Sequence, residues 1–112
     1  MAETFKNNDG LAITDSAQDL YECPSGKTAV VISIRVTNID GSSDDTITVN
    51  VTDGSNTNIA HLASTMDVPA DTSIELAGQS KLVLEATEKL RATGGAASGD
   101  LEAFVSVLEI DN

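Results

Sequence analysis

The chain has 112 residues, 40% hydrophobic and only 3% aromatic, with 18 acidic against 6 basic side chains and a formal net charge of -12. That length suits one domain, able to bury roughly 65% of the surface its unfolded chain exposes, and leaves no room for a second. So acidic a surface repels phosphate backbones and anionic lipid, which argues against nucleic acid and bare membrane as partners.

Phe5, Phe104 and Tyr21 are the whole aromatic stock, so the core falls to Val, Ile, Leu and Ala. The single cysteine, Cys23, excludes an intramolecular disulfide and with it a secreted scaffold held by bridges. No basic start followed by an apolar run marks a signal peptide, and the longest apolar stretch, 29–34, is too short to span a bilayer. The expectation is a protein made in a cytoplasm.

Residues 1–10 carry Lys6, Asn7, Asn8 and Asp9 and read as a polar arm, with 11–112 a single β domain. Free termini fray, so an ordered arm needs something to lie on, and a partner subunit is the expected support. From Asp19 the pattern turns to β. Stretch 28–38 sets Val30, Ile32, Ile34 and Val36 on one parity and Val31, Ser33, Arg35 and Thr37 on the other, the period of a half-buried strand. Residues 38–45 are turn formers, and 46–53 alternates again through Ile47, Val49 and Val51. These two stretches are expected to pair as a hairpin. Asp53-Gly54-Ser55-Asn56 ends the second, with Gly54 offering a positive φ.

A third long strand covers about 58–68 and stops at Pro69, which cannot donate to a ladder. Short strands are expected at 73–76, 81–84 and 89–93, then a glycine-rich loop at 94–99. The last strand, 100–110, alternates Leu101, Ala103, Val105 and Val107 against Phe104, Leu108 and Ile110, which implies two covered faces or a bulge. Cys23-Pro24-Ser25-Gly26-Lys27-Thr28 is echoed by Val68-Pro69-Ala70-Asp71-Thr72-Ser73, and the two read as equivalent corners where one sheet hands the chain to the other. Helix signal is nearly absent. Seven or eight short strands with regular turns give an all-β fold, an antiparallel β-sandwich of jelly-roll type.

Chemistry is hard to find. His61 is the only histidine and has no nucleophile or orienting acid beside it in sequence. One His and one Cys do not make a zinc site. Residues 40–45 look superficially like a calcium loop, but Asp45 and Val51 occupy the positions that need Gly and Glu. A loose surface calcium site in this acidic turn stays open as a minor alternative. Gly26-Lys27-Thr28 lacks the upstream glycine of a phosphate loop and runs into a strand. Cys23 is most simply a small buried residue. No catalytic, cofactor-binding or metal-ligating residue is assigned, and no cofactor.

With the strands placed, a family resemblance emerges. The run from Tyr21-Glu22-Cys23-Pro24 through Val30-Val31 to Asn38, then Val68-Pro69-Ala70, Lys81-Leu82-Val83-Leu84-Glu85, Leu90-Arg91-Ala92-Thr93 and Val105-Ser106-Val107-Leu108-Glu109-Ile110 resembles small β-sandwich structural proteins of tailed bacteriophages. Departures are Cys23, where Val is more usual before the proline, and Glu88, where Asp is more usual. The resemblance implies a virion part without catalytic residues: a capsid decoration or cement protein, or a tail, baseplate or fibre component.

The leading expectation is a non-enzymatic capsid decoration protein, oligomeric, binding the major capsid protein or another virion protein, and touching neither nucleic acid nor membrane. Its candidate contacts are Phe5 on the arm, Ile39, Asp44 and Asp45 in one loop, and Gly94 and Gly95 in another. A carbohydrate-binding module ranks third, because sugar platforms stack on aromatic rings and few are present. A small hydrolase ranks last.

Overall fold

The computed structural model describes residues 2–77 and 81–112. Met1, the first residue of the expected arm, lies outside them. Ten strands run along the described residues: β1 Glu3–Asn7, β2 Leu11–Ile13, β3 Gln18–Glu22, β4 Lys27–Asn38, β5 Asp45–Thr52, β6 Asn58–Val68, β7 Ser73–Glu75, β8 Leu82–Leu84, β9 Lys89–Gly94 and β10 Leu101–Asp111. One sheet follows the order β1-β10-β4-β7, with β2 also on β10 and β8 also on β4; the other is β3-β9-β5-β6.

Counting β1 with β2, and β7 with β8, as single interrupted strands leaves eight. The first then pairs the eighth, the second the seventh, the third the sixth and the fourth the fifth, all antiparallel. That is a long hairpin folded over on itself, the jelly-roll form of the sandwich. The expected fold class is what the chain adopts.

The core between the sheets is aliphatic, as the composition requires: Ile13, Val31, Ile34, Val36, Ile47, Val49, Leu84, Leu90, Leu101, Val105 and Val107 have no exposed surface. Strand β10 supplies the most regular alternation, with Leu101, Ala103, Val105 and Val107 inward throughout.

The expected pairing of 28–38 with 46–53 is not found. β4 and β5 lie in different sheets, and residues 39–44 carry the chain across the sandwich. The corner is held by Asn38, 1% exposed, whose Nδ2 donates to the carbonyls of Ser43 (3.0 Å) and Val68 (2.9 Å). Its Oδ1 accepts from the Asp40 N–H at 2.9 Å. The true hairpin is β5–β6, and there the left-handed residue is Asn56 (φ 67), not Gly54.

The single parity expected along β4 also breaks. Ala29 and Val31 point inward, then Ile34 and Val36 do, so Val30 faces out. Opposite Ser106 and Val107 the register jumps from Ser33 to Val31, leaving Ile32 as the extra residue of a bulge. One inserted residue inverts the phase of everything before it.

The two proline corners do hand the chain from one sheet to the other, β3 to β4 and β6 to β7. They share one geometry. Lys27 N–H donates to Pro24 O and Thr72 N–H to Pro69 O, both at 3.2 Å, around left-handed Gly26 (φ 80) and Asp71 (φ 59).

Residues 3–7 are β1, every residue of it exposed, hydrogen-bonded to β10 of the same chain. Asn8 extends the pairing with its side chain. Its Oδ1 accepts from Val105 N–H at 3.0 Å and its Nδ2 donates to Ala103 O at 3.3 Å.

Candidate functional site

Strand pairing sets out two contrasting outer faces. Across the β1-β10-β4-β8 side, Phe5 lies opposite Leu108, Leu108 opposite Val30, and Val30 opposite Val83. All four point away from the core, so one rung of the sheet presents four apolar side chains in line. Phe5 is 75% exposed and Val83 59%. Phe5 and Ile32 also line one shallow hollow with Lys6, Asn7, Ser106 and Val107.

The equivalent rung of the other sheet runs Asp19, Arg91, Asn50, His61 and is polar throughout. There Arg91 Nε donates to Asp19 Oδ1 at 2.7 Å and Lys89 Nζ lies 3.3 Å from Asp19 Oδ2. Asn50 Nδ2 donates to Asn58 Oδ1 at 3.0 Å. One edge of that sheet, β6, is interrupted by register shifts, and Thr65 within it is left-handed (φ 48). Bulges of this kind blunt an edge against pairing with another strand. Among the described residues β6 also exposes Ile59 and Met66, but the rung of the first sheet is the one that sets four apolar side chains in line.

Four of the six cations lie on or beside that first sheet: Lys6 in β1, Lys27 and Arg35 in β4, and Lys81 just before β8. The strands of that sheet also carry Glu3, Glu75, Glu102, Glu109 and Asp111.

Inside the sandwich, the inward parity of β10 ends on a carboxylate. Glu109 is 2% exposed, and Tyr21 Oη donates to its Oε2 at 2.6 Å. Oε1 accepts no hydrogen bond and faces Lys6 Nζ at 3.4 Å. Lys6 reaches it because it shares the inward face with its cross-strand partner Val107. A buried charge left partnerless is costly, so this contact ties β1 to the body of the domain.

Burial, then the bond to Glu109, push the Tyr21 hydroxyl well above the usual phenol range. Burial and the same carboxylate also raise the Cys23 thiol, which suits an inert structural residue rather than a nucleophile. The raised Tyr21 value has a consequence for stability. Above about pH 10 the unfolded phenol loses its proton while the folded one keeps it, so stability falls as pH rises further. Tyr21→Phe is expected to flatten that fall and to cost about 1–2 kcal/mol at neutral pH, because Oε2 of Glu109 loses its donor. Urea melts of both proteins at neutral and alkaline pH check it. An unchanged alkaline slope in the variant would contradict the assignment.

The six contact residues named from sequence fall in two places. Phe5 sits in the apolar rung, level with Leu108. Ile39, Asp44, Asp45, Gly94 and Gly95 gather at one end of the sandwich, where loops 39–44 and 95–100 meet. Leu101 faces Asn38 at that end, seven residues along β10 from Leu108, a separation of about 23 Å.

At that end Ile39 is 53% exposed, while the other residues serve internal contacts. Asp44 Oδ1 accepts from Ala70 N–H (3.0 Å) and Asp45 Oδ1 from Thr46 N–H (2.7 Å). Gly94 is buried, its N–H on Thr14 O at 2.7 Å. Gly95 donates to Thr46 O at 3.0 Å, and a Cβ there would collide with Asp45 Oδ1 and the Thr46 hydroxyl.

Asp40 spends its Oδ1 on the N–H groups of Ser42 and Ser43, which hold its carboxyl below the usual range. No group of three or more His, Cys, Asp or Glu side chains is placed to hold a metal among the described residues. Val30, Val83 and Leu108 were missed in sequence. The available signal was that β4 and β10 carry large aliphatic residues on both parities.

No protein-family model matches the chain, and no curated protein matches it. Solved structures do resemble it. A Bacillus endospore appendage protein, from a family described as disulfide-linked pili, superposes with a TM-score of 0.58 at 12% identity, over 98% of this chain and 87% of that one. A pentameric capsid protein from metagenomic phage sequences gives 0.40 at 16% identity, over 97% of this chain and 61% of that one. Infectious bursal disease virus, Gx strain, gives 0.48 at 10% identity, over 99% of this chain and 32% of that one. At these identities the likeness is one of fold. The chain spans less than two thirds of either viral chain's length.

Proposed function

We propose that this chain is a non-enzymatic structural subunit of a virion that assembles by burying the outer face of its β1-β10-β4-β8 side against neighbouring copies, and that it decorates a capsid. The observation that carries the reading is the rung Phe5, Leu108, Val30, Val83, an apolar line across four strands with Phe5 75% and Val83 59% exposed among the described residues. Apolar surface gathered in one patch marks an interaction site far more often than apolar residues scattered singly. The phage resemblance of the strand-and-turn motifs supports the virion.

A fibre or pilus subunit is the second reading, favoured by the endospore appendage likeness, which spans nearly the whole of both chains. Disulfide linking would not carry over, since the one cysteine is fully buried.

The test is co-sedimentation with capsids assembled without this protein, and separately with tails. The native chain is expected to pellet with capsids, and the Phe5→Glu, Val83→Glu double variant to stay in solution while remaining folded. Point changes are preferable to removing β1, which would uncover the edge of β10 and strip Lys6 from Glu109. Pelleting with tails alone would make it a tail component, and filaments of the purified chain would favour the fibre reading.

A further inference from the structure

We propose that a hollow at the other end of the same face, lined by Asp9, Arg35, Thr37, Glu102 and Phe104, binds a neutral polyhydroxylated ring, a pyranose sugar. The strand register builds it. Phe104 lies opposite Arg35, and Glu102 opposite Thr37 on the next outward rung, so four side chains form one tile. The β1–β2 turn, with Asp9 and Gly10 both left-handed, raises a rim along one side. The hollow is open to solvent and offers about 400 Å³, at the small end of the roughly 300–1,000 Å³ typical of ligand pockets and suited to one or two sugar rings.

Three observations select the ligand. Phe104, one of two phenylalanines in the chain, is 43% exposed and offers an apolar ring face beside polar groups, as a stacking platform does. The polar side chains around it are uncommitted: Asp9, Arg35, Thr37 and Glu102 make no side-chain hydrogen bond or ion pair among the described residues. This contrasts with Lys6, Lys27, Lys89 and Arg91, each of which is paired with a carboxylate. Glu75, the cross-strand neighbour of Arg35, instead accepts from Ser33 Oγ and the N–H groups of Ile34 and Ala77.

The third observation is the mixture of signs. Two carboxylates and one guanidinium leave the hollow with one net negative charge, on a chain already at -12, so an anion is disfavoured. A cation would meet Arg35 directly beside the aromatic ring. A ring bearing adjacent hydroxyls uses both signs at once, donating to the carboxylates and accepting from the guanidinium. Phe104 lies four residues along β10 from Leu108, about 13 Å away on the same outer face.

The test is a titration of the isotope-labelled full chain with glucose, galactose, mannose and N-acetylglucosamine, followed by amide chemical shifts. Inorganic phosphate and tetramethylammonium are titrated in parallel. At least one sugar is expected to shift the amides of 9–12, 35–37 and 102–104, with a Kd of about 1–10 mM for so open a site. Phe104→Ala is expected to weaken binding at least about tenfold and Phe104→Tyr to preserve it, since stacking survives in the second. Arg35→Gln, at an exposed position, keeps the test decisive should Phe104→Ala disturb the fold, and is also expected to weaken binding. The proposal is overturned if no sugar moves those amides, if phosphate or tetramethylammonium moves them instead, or if Arg35→Gln binds like the native chain.

Discussion

Leu90→Ala is expected to lower the unfolding free energy by about 3–4 kcal/mol, a large fraction of the roughly 5–15 kcal/mol that such domains possess. Leu90 has no exposed surface and sits in β9, between Tyr21 of β3 and Val51 of β5. Tyr21, the aromatic ring beside it, is tethered through its hydroxyl to Glu109 Oε2 at 2.6 Å, which limits how far it can lean into the space a lost isobutyl group leaves. Jelly-roll strands are also held on both sides by their ladders, which limits collapse of the cavity. The midpoint of thermal unfolding should fall by roughly 10–20 °C. A fall under about 1 kcal/mol would mean the core relaxes freely, as a loosely packed sandwich would.

Asn38→Ala is expected to cost about 2–3 kcal/mol, although it removes only a small polar group. The asparagine is the bolt between the sheets. It stands at the end of β4 and donates to Val68 O at the end of β6, in the opposite sheet. It also fixes the loop through Ser43 O and the Asp40 N–H. Alanine leaves the buried Val68 carbonyl without its donor, while groups nearer the surface turn to water. Urea unfolding should show a lower midpoint with an unchanged slope. Added mobility confined to 39–44, seen by amide exchange, would accompany it. A variant as stable as the native chain would show that the corner is held by something other than this side chain.

That corner also shows where sequence reading stopped. Strands β4 to β10 were legible almost to the residue, because aliphatic alternation and the breakers Pro24, Gly26 and Pro69 are local signals. Pairing is not local. Two strands joined by a short polar turn usually neighbour each other, and 28–38 followed by 46–53 fits that habit. What overrides it is a buried asparagine bonding a carbonyl thirty residues away. The face assignment failed for a similar reason, since nothing in the run Val30-Val31-Ile32-Ser33 marks Ile32 as an inserted residue.

The surface proposed for assembly was half visible. Phe5 stood out as the one large apolar residue in a polar stretch, but the same polarity hid β1, whose ladder partners lie about a hundred residues away on β10. Val30, Leu108 and Val83 come from three separate strands and become a row only once the register is known. The hollow around Phe104 and Arg35 was hidden in the same way, its two key residues being partners across β10 and β4.

Sedimentation velocity of the native chain beside the Phe5→Glu, Val83→Glu variant, over about 1 μM to 1 mM, reports most directly on the apolar face, because association through it must follow mass action. The native chain is expected to sediment faster as concentration rises, reaching a discrete oligomer. The variant should remain an 11.6 kDa monomer with an unaltered far-ultraviolet spectrum. A native chain that stays monomeric throughout, or a variant that associates as well as the native, would contradict the assembly role assigned to that face.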